Sequence, residues 1–291
     1  MATYAKVIAD SINGRGDRLV TFEVKFHRFV LAEFNTHRVF SRNSASSRAI
    51  PVEKQLRRIK DDPAIPLAWP AGQKGMQGGD ALSAELREEV EKIWIEAAED
   101  AVLFAEMLVD RGLHKSVTNR ILEPFMWHTC VVSATSWENF FNQRCSPLAQ
   151  PEIRAAAEMM MTAYHDSTPE HMTEGDWHLP YIQPEDRGVR GTLSKLIQIS
   201  AARCARVSYL TQDGVRDQEE DLKLYQRLIT ADPAHFSPLE HVASPDLSNW
   251  HEVQSVLGRD FTLILPKYGN FLGWQQLRML AEADRQNQSF S

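Results

Sequence analysis

The feature that most constrains this chain is the alternation within residues 18–32. Val20, Phe22, Val24 and Phe26 fall on one side, and Thr21, Glu23, Lys25 and His27 on the other. Successive Cβ atoms of an extended chain point to opposite faces, so a period of two predicts a half-buried strand with one solvated face. A second strand is expected around residues 4–9, joined to the first by Asn13-Gly14-Arg15-Gly16-Asp17. That run also contains the Arg-Gly-Asp tripeptide of cell-adhesion ligands. Asn and Gly here are turn formers, and the turn reading is preferred.

Beyond the strand the pattern becomes helical. Leu82, Leu86, Val90, Ile93, Ala97, Ala101 and Leu108 are expected on the inward face of one long helix, with Gly112 as its stop. Shorter helices are predicted at about 115–122 and 136–144. Another begins at Pro151, a favoured first helical position, with Ile153, Ala156, Ala157, Met160 and Tyr164 inward. Met159-Met160-Met161 reads as core filler. Residues 70–80 and 166–190 read as loop and connection. Helices resume near 192–205 and 217–230, and Asp232-Pro233 closes the second. Strands and helices without a regular βαβ rhythm predict an α+β fold.

Composition narrows the functions. Hydrophobic residues are 43% and charged residues 24%, with a formal net charge of -7. Such a surface repels polyanions, which disfavours a nucleic-acid-binding module built on Arg38, Arg42, Arg48, Lys54, Arg57, Arg58 and Lys60. The expectation is therefore no nucleic-acid polymer as partner. Cys130, Cys145 and Cys204 lack paired spacing, which fits a reduced, cytoplasmic setting. Neither a signal peptide nor an apolar run of about 18 residues is evident, so no membrane association is expected. The glycines of residues 72–79 lack the Gly-Lys-Ser/Thr ending of a phosphate loop. The ten histidines never take zinc-site spacing, so no metal is expected. Cys145 beside Arg144 suits a nucleophile on paper, but a lone Cys in an apolar segment reads first as inert packing.

Three segments carry candidate chemistry. Residues 36–48 interleave Arg38, Arg42 and Arg48 with Ser41, Ser44, Ser46 and Ser47 directly after a strand. Guanidinium forks and hydroxyls are the groups that bind phosphate dianions. The residues alone leave a solvated basic loop equally open. The second segment sets Asn139 and Arg144 behind Trp137, Phe140 and Phe141, which are most simply core. The third, from His235 to His241, reads as a helix start with Ser237 as N-cap, Pro238 at the first position and Glu240 completing a capping box.

Together these segments resemble the flavin-dependent thymidylate synthases. The family signature is Arg-His-Arg, two residues, Ser, one residue, Asn, then Ser and Arg. His37, Arg38, Ser41, Asn43, Ser46 and Arg48 match it in register. Gln143-Arg144 through Ala149-Gln150-Pro151-Glu152-Ile153 is similar to the family's Leu-Arg and Ala-Gln-x-Glu-Ile. Ser237-Pro238-Leu239-Glu240-His241 resembles Ser-Pro-Phe-Glu-His, and residues 201–209 resemble Ala-Ala-Arg-Val-Ser-Tyr. In the usual member the last two pieces come first. Here they come last, which implies one circularly permuted domain over residues 1–291, with the permuted part at about 192–291. The arrangement is similar to phage-type relatives, implying a phage origin and a host-cytoplasmic location.

The resemblance implies methylation of dUMP to dTMP using FAD, NADPH and methylenetetrahydrofolate, without a cysteine nucleophile. It implies that Arg144 stabilises charge on the ring. Arg48, Ser46 and Arg120 would hold the phosphate, with Glu33, Ser44 and Ser47 also beside the nucleotide. Thr36, His37, Arg38, Asn43, Asn139, His235, Ser237 and Glu240 would contact FAD. A homotetramer with shared active sites is implied as well. Thr36 stands where the signature has Arg, and Arg278 or Arg42 is the expected replacement. Glu33 stands where Gln is frequent, which raises dCMP, or transfer of a hydroxymethyl group, as the nearest rival, because a carboxylate accepts from cytosine's amine.

Overall fold

The structure is a computed structural model that describes residues 3–187, 192–209, 217–246 and 269–289 of the 291. Strands β1 (Tyr4–Asn13) and β2 (Arg18–His27) form an antiparallel hairpin. Its turn is closed by Asn13 Oδ1, which accepts from the backbone N–H of Arg15 at 2.9 Å and of Asp17 at 3.0 Å. Gly273 lies against this turn with φ of 69°, a conformation that favours glycine, and its carbonyl accepts from Asn13 Nδ2 at 3.0 Å. The Arg-Gly-Asp run is thus a structural turn with the chain's own tail docked on it.

After β2 come α1 (Leu31–Asn35), β3 (Ser41–Ser44), α2 (Val52–Asp61), α3 (Ala84–Asp110) and α4 (Lys115–Thr118). Next are β4 (Trp127–Ala134), α5 (Glu138–Arg144), α6 (Pro151–Asp166) and β5 (Glu170–Met172). The C-terminal third supplies α7 (Leu193–Arg206), α8 (Gln218–Thr230), a 3-10 turn at Ser237–His241, β6 (Ala243–Pro245), β7 (Trp274–Gln276) and α9 (Leu277–Ser289). The main sheet runs β3-β4-β2-β1-β5, antiparallel except for the β1–β5 edge. The fold is α+β, as expected.

One face of the sheet is apolar. Val20, Phe22, Val24 and Phe26 are fully buried against Trp137, Phe140, Ile153, Ala156 and Met160, and the inward face assigned to α6 holds. Of the three methionines only Met160 is fully buried; Met159 is 42% exposed. The opposite face departs from expectation. Thr21, Lys25 and His27 are buried, so β2 is covered on both sides and not half-solvated. Over Lys25 and His27 the cover is residues 62–65, with His27 Nε2 meeting Ile65 O at 2.8 Å and Lys25 Nζ 3.9 Å from Asp62; over Thr21 it is the C-terminal third, where a chain of polar side chains links the two. Ser11 Oγ meets His178 Nδ1 at 2.8 Å, His178 Nε2 meets Thr21 Oγ1 at 2.7 Å, and Thr21 meets Ser133 Oγ at 2.6 Å. Ser133 in turn meets His241 Nδ1 at 2.8 Å. Burial lowers the pKa of His178 and of His241 to about 3, so both rings are neutral.

Three other expectations need correction. The helix expected at about 115–122 is a single turn, α4, after which the chain passes through a 3-10 turn at Glu123–Phe125 into β4. Strand β4 itself, paired with β2 and β3, lay unassigned between two expected helices, as did β5 within the supposed connection. On α3 the buried residues are Ala98, Val102 and Ala105, whereas Leu86 and Ile93 are about half exposed. Of the apolar stripe chosen for the core, Ala101 packs against it, while Leu86 and Ile93 face outward.

Candidate active site

The 36–48 segment lies at the edge of the sheet, carried by α1 and β3. Its anchor is β3, whose Asn43 and Ser41 pair with Val131 and Ser133 of β4. Beneath it Phe34, Phe40, Trp137 and Phe140 form a cluster of ring contacts with centroids 4.6–6.4 Å apart. These rings keep the underside of the segment dry, and His37 stands edge-on to Phe140 at 4.9 Å.

Arg144, at the C-terminus of α5, reaches across to this segment. Its Nε donates to His37 Nε2 at 2.9 Å, and one terminal nitrogen donates to Thr36 Oγ1 at 2.9 Å and to the Glu33 carbonyl at 3.1 Å. All three acceptors are neutral. Burial first, then the charges of Arg144 and Arg42, lower His37 to about pKa 4, so the ring is an unprotonated acceptor near neutrality. Among the described residues Arg144 makes no ion pair with a carboxylate, so its charge remains uncompensated in a half-buried place. Glu33 keeps one carboxylate oxygen, Oε2, buried without a partner. Arg42 directs a terminal nitrogen at the Phe34 and His37 carbonyls, at 3.3 and 3.4 Å. It is thus on the Thr36 turn, whereas Arg278 is engaged with Glu240 and with Glu282 at 2.8 Å.

The far end of the segment is organised by residues that sequence reasoning missed. Glu123 Oε1 accepts from Ser47 Oγ at 2.9 Å, from Arg28 at 2.9 Å and from Arg120 at 2.7 Å. Burial raises its pKa, but Arg28, Ser47 and Arg120 outweigh that and hold the carboxyl below its usual range. The buried Asn119 amide donates to the carbonyls of Ser47 at 2.6 Å and Ile50 at 3.0 Å, and Lys115 Nζ donates to that of Ala49 at 3.0 Å. The polar run Asn119-Arg120 before buried Leu122 was the available signal. Ser47 and Arg120 are thus brought together through Glu123. Arg48 and Arg38 are exposed and make no ion pair among the described residues. Ser46 donates its backbone N–H to Ser208 O at 3.1 Å, and Ser44 Oγ sits 3.5 Å from Cys130 Sγ.

The remaining candidates divide. Asn43 is buried and its amide donates to Cys204 O at 2.6 Å, so its side chain faces α7. Asn139 is exposed on α5 and bonds Gln143 at 3.1 Å. His235 and Ser237 are exposed. The capping box is absent: the Ser237–His241 element is a 3-10 turn without a side-chain cap, and Glu240 pairs with Arg278 instead. The turn nevertheless packs beside β3 and β4, since Gln276 bridges Ser41 Oγ at 3.0 Å and the Glu240 carbonyl at 2.9 Å. No group of His, Cys, Asp and Glu among the described residues is arranged to hold a metal.

With that geometry in hand, comparison with known proteins decides the lineage. The profile of the thymidylate synthase complementing protein family matches residues 19–170, from β2 to the start of β5 and including Arg144 and all of residues 36–48. The chain belongs to this family. The matched range ends before the pieces at 201–209 and 237–241. Solved structures similar to the chain include two of the UMP/dUMP methylase PolB from Streptomyces cacaoi. The form bound with 5-Br dUMP is 19% identical with a TM-score of 0.40, over 50% of this chain and 66% of that one. The form bound with 5-Br UMP is 17% identical with a TM-score of 0.46, over 56% of this chain and 88% of that one. The chain therefore spans just under two thirds of the first of these. No curated protein matches the sequence significantly. Among the described residues no helix is long and apolar enough to cross a membrane.

Proposed function

We propose that this family member methylates dUMP to dTMP, with FAD as cofactor, methylenetetrahydrofolate as one-carbon donor and NADPH as reductant, and without a covalent enzyme nucleophile. The observation that carries the reading is the uncompensated Arg144 guanidinium, held by His37, Thr36 and Glu33 over an aromatic floor. A fixed cation in a water-poor place stabilises negative charge developing on a pyrimidine ring. FAD, when bound, would supply the reducing equivalents.

The residues present fit such a cofactor and a nucleotide. The exposed Arg38 and Arg48 guanidinia are available to phosphate oxygens. Arg48, Ser46 and Arg120 would hold the nucleotide phosphate, steadied by Ser47 and Glu123. His37, Arg38, Asn139, His235 and Ser237 would face FAD, with Asn43 and Glu240 acting as supports because their polar groups are already engaged. The thiols suit no nucleophilic role. Burial raises Cys130 to about pKa 11 and pushes Cys204 higher, and Cys145 is raised by burial and Glu158.

The unpartnered Glu33 Oε2 favours one rival, the same chemistry on dCMP or transfer of a hydroxymethyl group. Purified protein should be yellow, absorbing near ~450 nm as bound flavins do. Incubation with dUMP and dCMP side by side should give dTMP from the first only. A colourless protein inactive with both would defeat the proposal, and methylated product from dCMP alone would install the rival.

We also read residues 192–291 as the displaced N-terminal part of the family's single domain. The bonds from Asn43 to Cys204 O and from Ser46 to Ser208 O support this, as does the Ser133–His241 contact. A chain rebuilt with residues 192–291 ahead of residues 3–187 should then fold and retain activity; an insoluble or inactive product counts against the permutation. The proposed assembly is a homotetramer with shared sites.

A further inference from the structure

A cavity of about 350 Å³ lies on the polar face of the sheet, away from Arg144. Its floor is Glu23 and Lys25 of β2 with Tyr4 of β1 and Trp127 of β4, and α2 closes it with Arg58. Successive residues of β2 point to opposite faces, so Lys25 faces the cavity while Val24 and Phe26 face the aromatic core. Phe26 packs on Phe34 with centroids 5.0 Å apart, and Phe34 on Phe140 at 5.8 Å. The sheet therefore separates the cavity from the floor beneath Arg144. Among the described residues, none assigned to the nucleotide or to FAD lines it. A volume of this size takes a small molecule.

The group that sets this cavity apart is the Lys25 amine. Its side chain is 9% exposed, and among the described residues Nζ makes no hydrogen bond. Nζ stands 4.7 Å from the centre of the Trp127 ring and 3.9 Å from Asp62 Oδ2, too far for a hydrogen bond. Glu23, two residues along the same face, is taken up by the phenols of Tyr4, at 2.8 Å, and of Tyr181. Tyr181 reaches it from a backbone with φ of 63°, a strained conformation for a residue other than glycine. Burial lowers the pKa of Lys25, and the Arg58 charge adds to this against the opposing pull of Asp62. Desolvation and a neighbouring cation are what make a lysine amine nucleophilic.

We infer that this cavity is a second site, which takes a small uncharged aldehyde that Lys25 Nζ binds as an imine. The nitrogen lone pair adds to the carbonyl carbon and the carbonyl oxygen takes up a proton, giving a carbinolamine. Loss of water then leaves the imine, so one amine and one aldehyde yield one imine and one water. Asp62 is close enough to pass protons between nitrogen and oxygen through one bridging water. Charge selects the aldehyde. With the amine neutral, the carboxylates of Glu23, Asp61 and Asp62 face the single cation of Arg58, which disfavours an anionic carbonyl compound. Ile59 and Phe125 supply apolar wall for its carbon chain. The inference holds whichever pyrimidine is alkylated beside Arg144, so its failure leaves the proposed function standing.

Reductive trapping on the full chain tests it. Propionaldehyde below molar equivalence, with cyanoborohydride at neutral pH, turns each imine into a stable secondary amine that peptide mass mapping locates. Lys25 should be labelled first among the lysines, on the order of tenfold faster than the exposed Lys74. Glyoxylate, an aldehyde that carries a carboxylate, should label Lys25 no faster than Lys74. In guanidinium chloride, where the cavity is lost, the preference for Lys25 with propionaldehyde should vanish. A folded protein in which Lys25 stays unlabelled, or reacts no faster than Lys74, would overturn the inference. So would glyoxylate labelling Lys25 as fast as propionaldehyde does, or a preference that survives unfolding.

Discussion

At one end of residues 36–48, Arg144 is held by a neutral imidazole, a hydroxyl and a backbone carbonyl. At the other, Arg28 and Arg120 close on the carboxylate of Glu123. The two arrangements use the same cation for opposite ends. Neutral acceptors orient Arg144 without cancelling its charge, so its field remains available to an anion arriving beside it. At Glu123 one carboxylate is shared by two guanidinia, so part of their charge is cancelled and the rest holds the loop. What that end offers a ligand is the half-exposed Arg120 together with Arg48, exposed and free of any ion pair among the described residues. On the proposed function, the contrast separates a residue expected to change rate from residues expected to change affinity.

The sharpest way to break the contrast is at Arg144. Removing one preorganised donor of this kind typically costs on the order of a hundred- to a thousand-fold in turnover. Arg144→Ala should fold, keep some flavin and lose rate by that amount in single-turnover product formation. Arg144→Lys should recover only part, since an ammonium keeps the charge but not the planar fork that spans His37 and Thr36. An undiminished rate in Arg144→Ala would remove the electrostatic role.

Arg48 should behave as the affinity partner. Loss of a hydrogen bond to a charged group costs about 1.5–3 kcal/mol, so Arg48→Ala should weaken nucleotide binding by that much in calorimetry. Flavin content should stay unchanged. Loss of flavin at unchanged nucleotide affinity would reverse the assignment of the two ends.

A smaller effect follows from the acceptor that orients Arg144. His37 titrates at about 4 in the folded chain against about 6.5 when unfolded. Between those values the unfolded state binds the extra proton, so stability is full above pH 6.5 and falls as pH drops towards 4. About 1–2 kcal/mol should be lost by pH 5 through this residue. His178 and His241 titrate lower still and act in the same direction, so the readout is the difference between wild type and His37→Gln in urea unfolding across pH 8 to 4. Parallel curves for the two proteins would show that His37 is not the neutral acceptor.

How much of this was legible beforehand depended on whether a residue's neighbours lie nearby in sequence. The apolar side of β2 and the inward face of α6 follow from period alone, because each buries one continuous stripe. The polar side of β2 did not. Thr21 is buried because His178, more than 150 residues away, supplies its partner. A polar residue covered by a distant polar residue looks like a solvated one. Strand β4 was missed because Trp127–Ala134 is buried on both sides and so lacks the alternation that reveals a half-covered strand. In the site, residues 36–48 and Arg144 were recognisable from motif and register, whereas Glu123 and Asn119 were not. Their work is to hold backbone and hydroxyl groups of another segment, and the polar run Asn119-Arg120 before buried Leu122 marks the place without naming that partner.

The smallest expected effect bears most directly on mechanism. Cys145 follows Arg144, so a cysteine nucleophile would sit where the reacting ring is proposed to lie. Its thiol is raised above its ordinary value by burial and by Glu158, and its sulfur meets Met161 Sδ at 4.0 Å. A nucleophilic thiol needs the reverse, a cation or helix N-terminus that lowers its pKa. Arg144, one residue away, directs its donors to His37, Thr36 and Glu33 instead of to the thiol. Cys145→Ser should therefore change turnover less than about twofold, far below the loss expected at Arg144. Both variants should be measured in the same single-turnover assay, where differences in flavin loading are normalised by absorbance. An inactive Cys145→Ser beside a healthy Arg144→Ala would exchange the roles of the two neighbours and restore a covalent route.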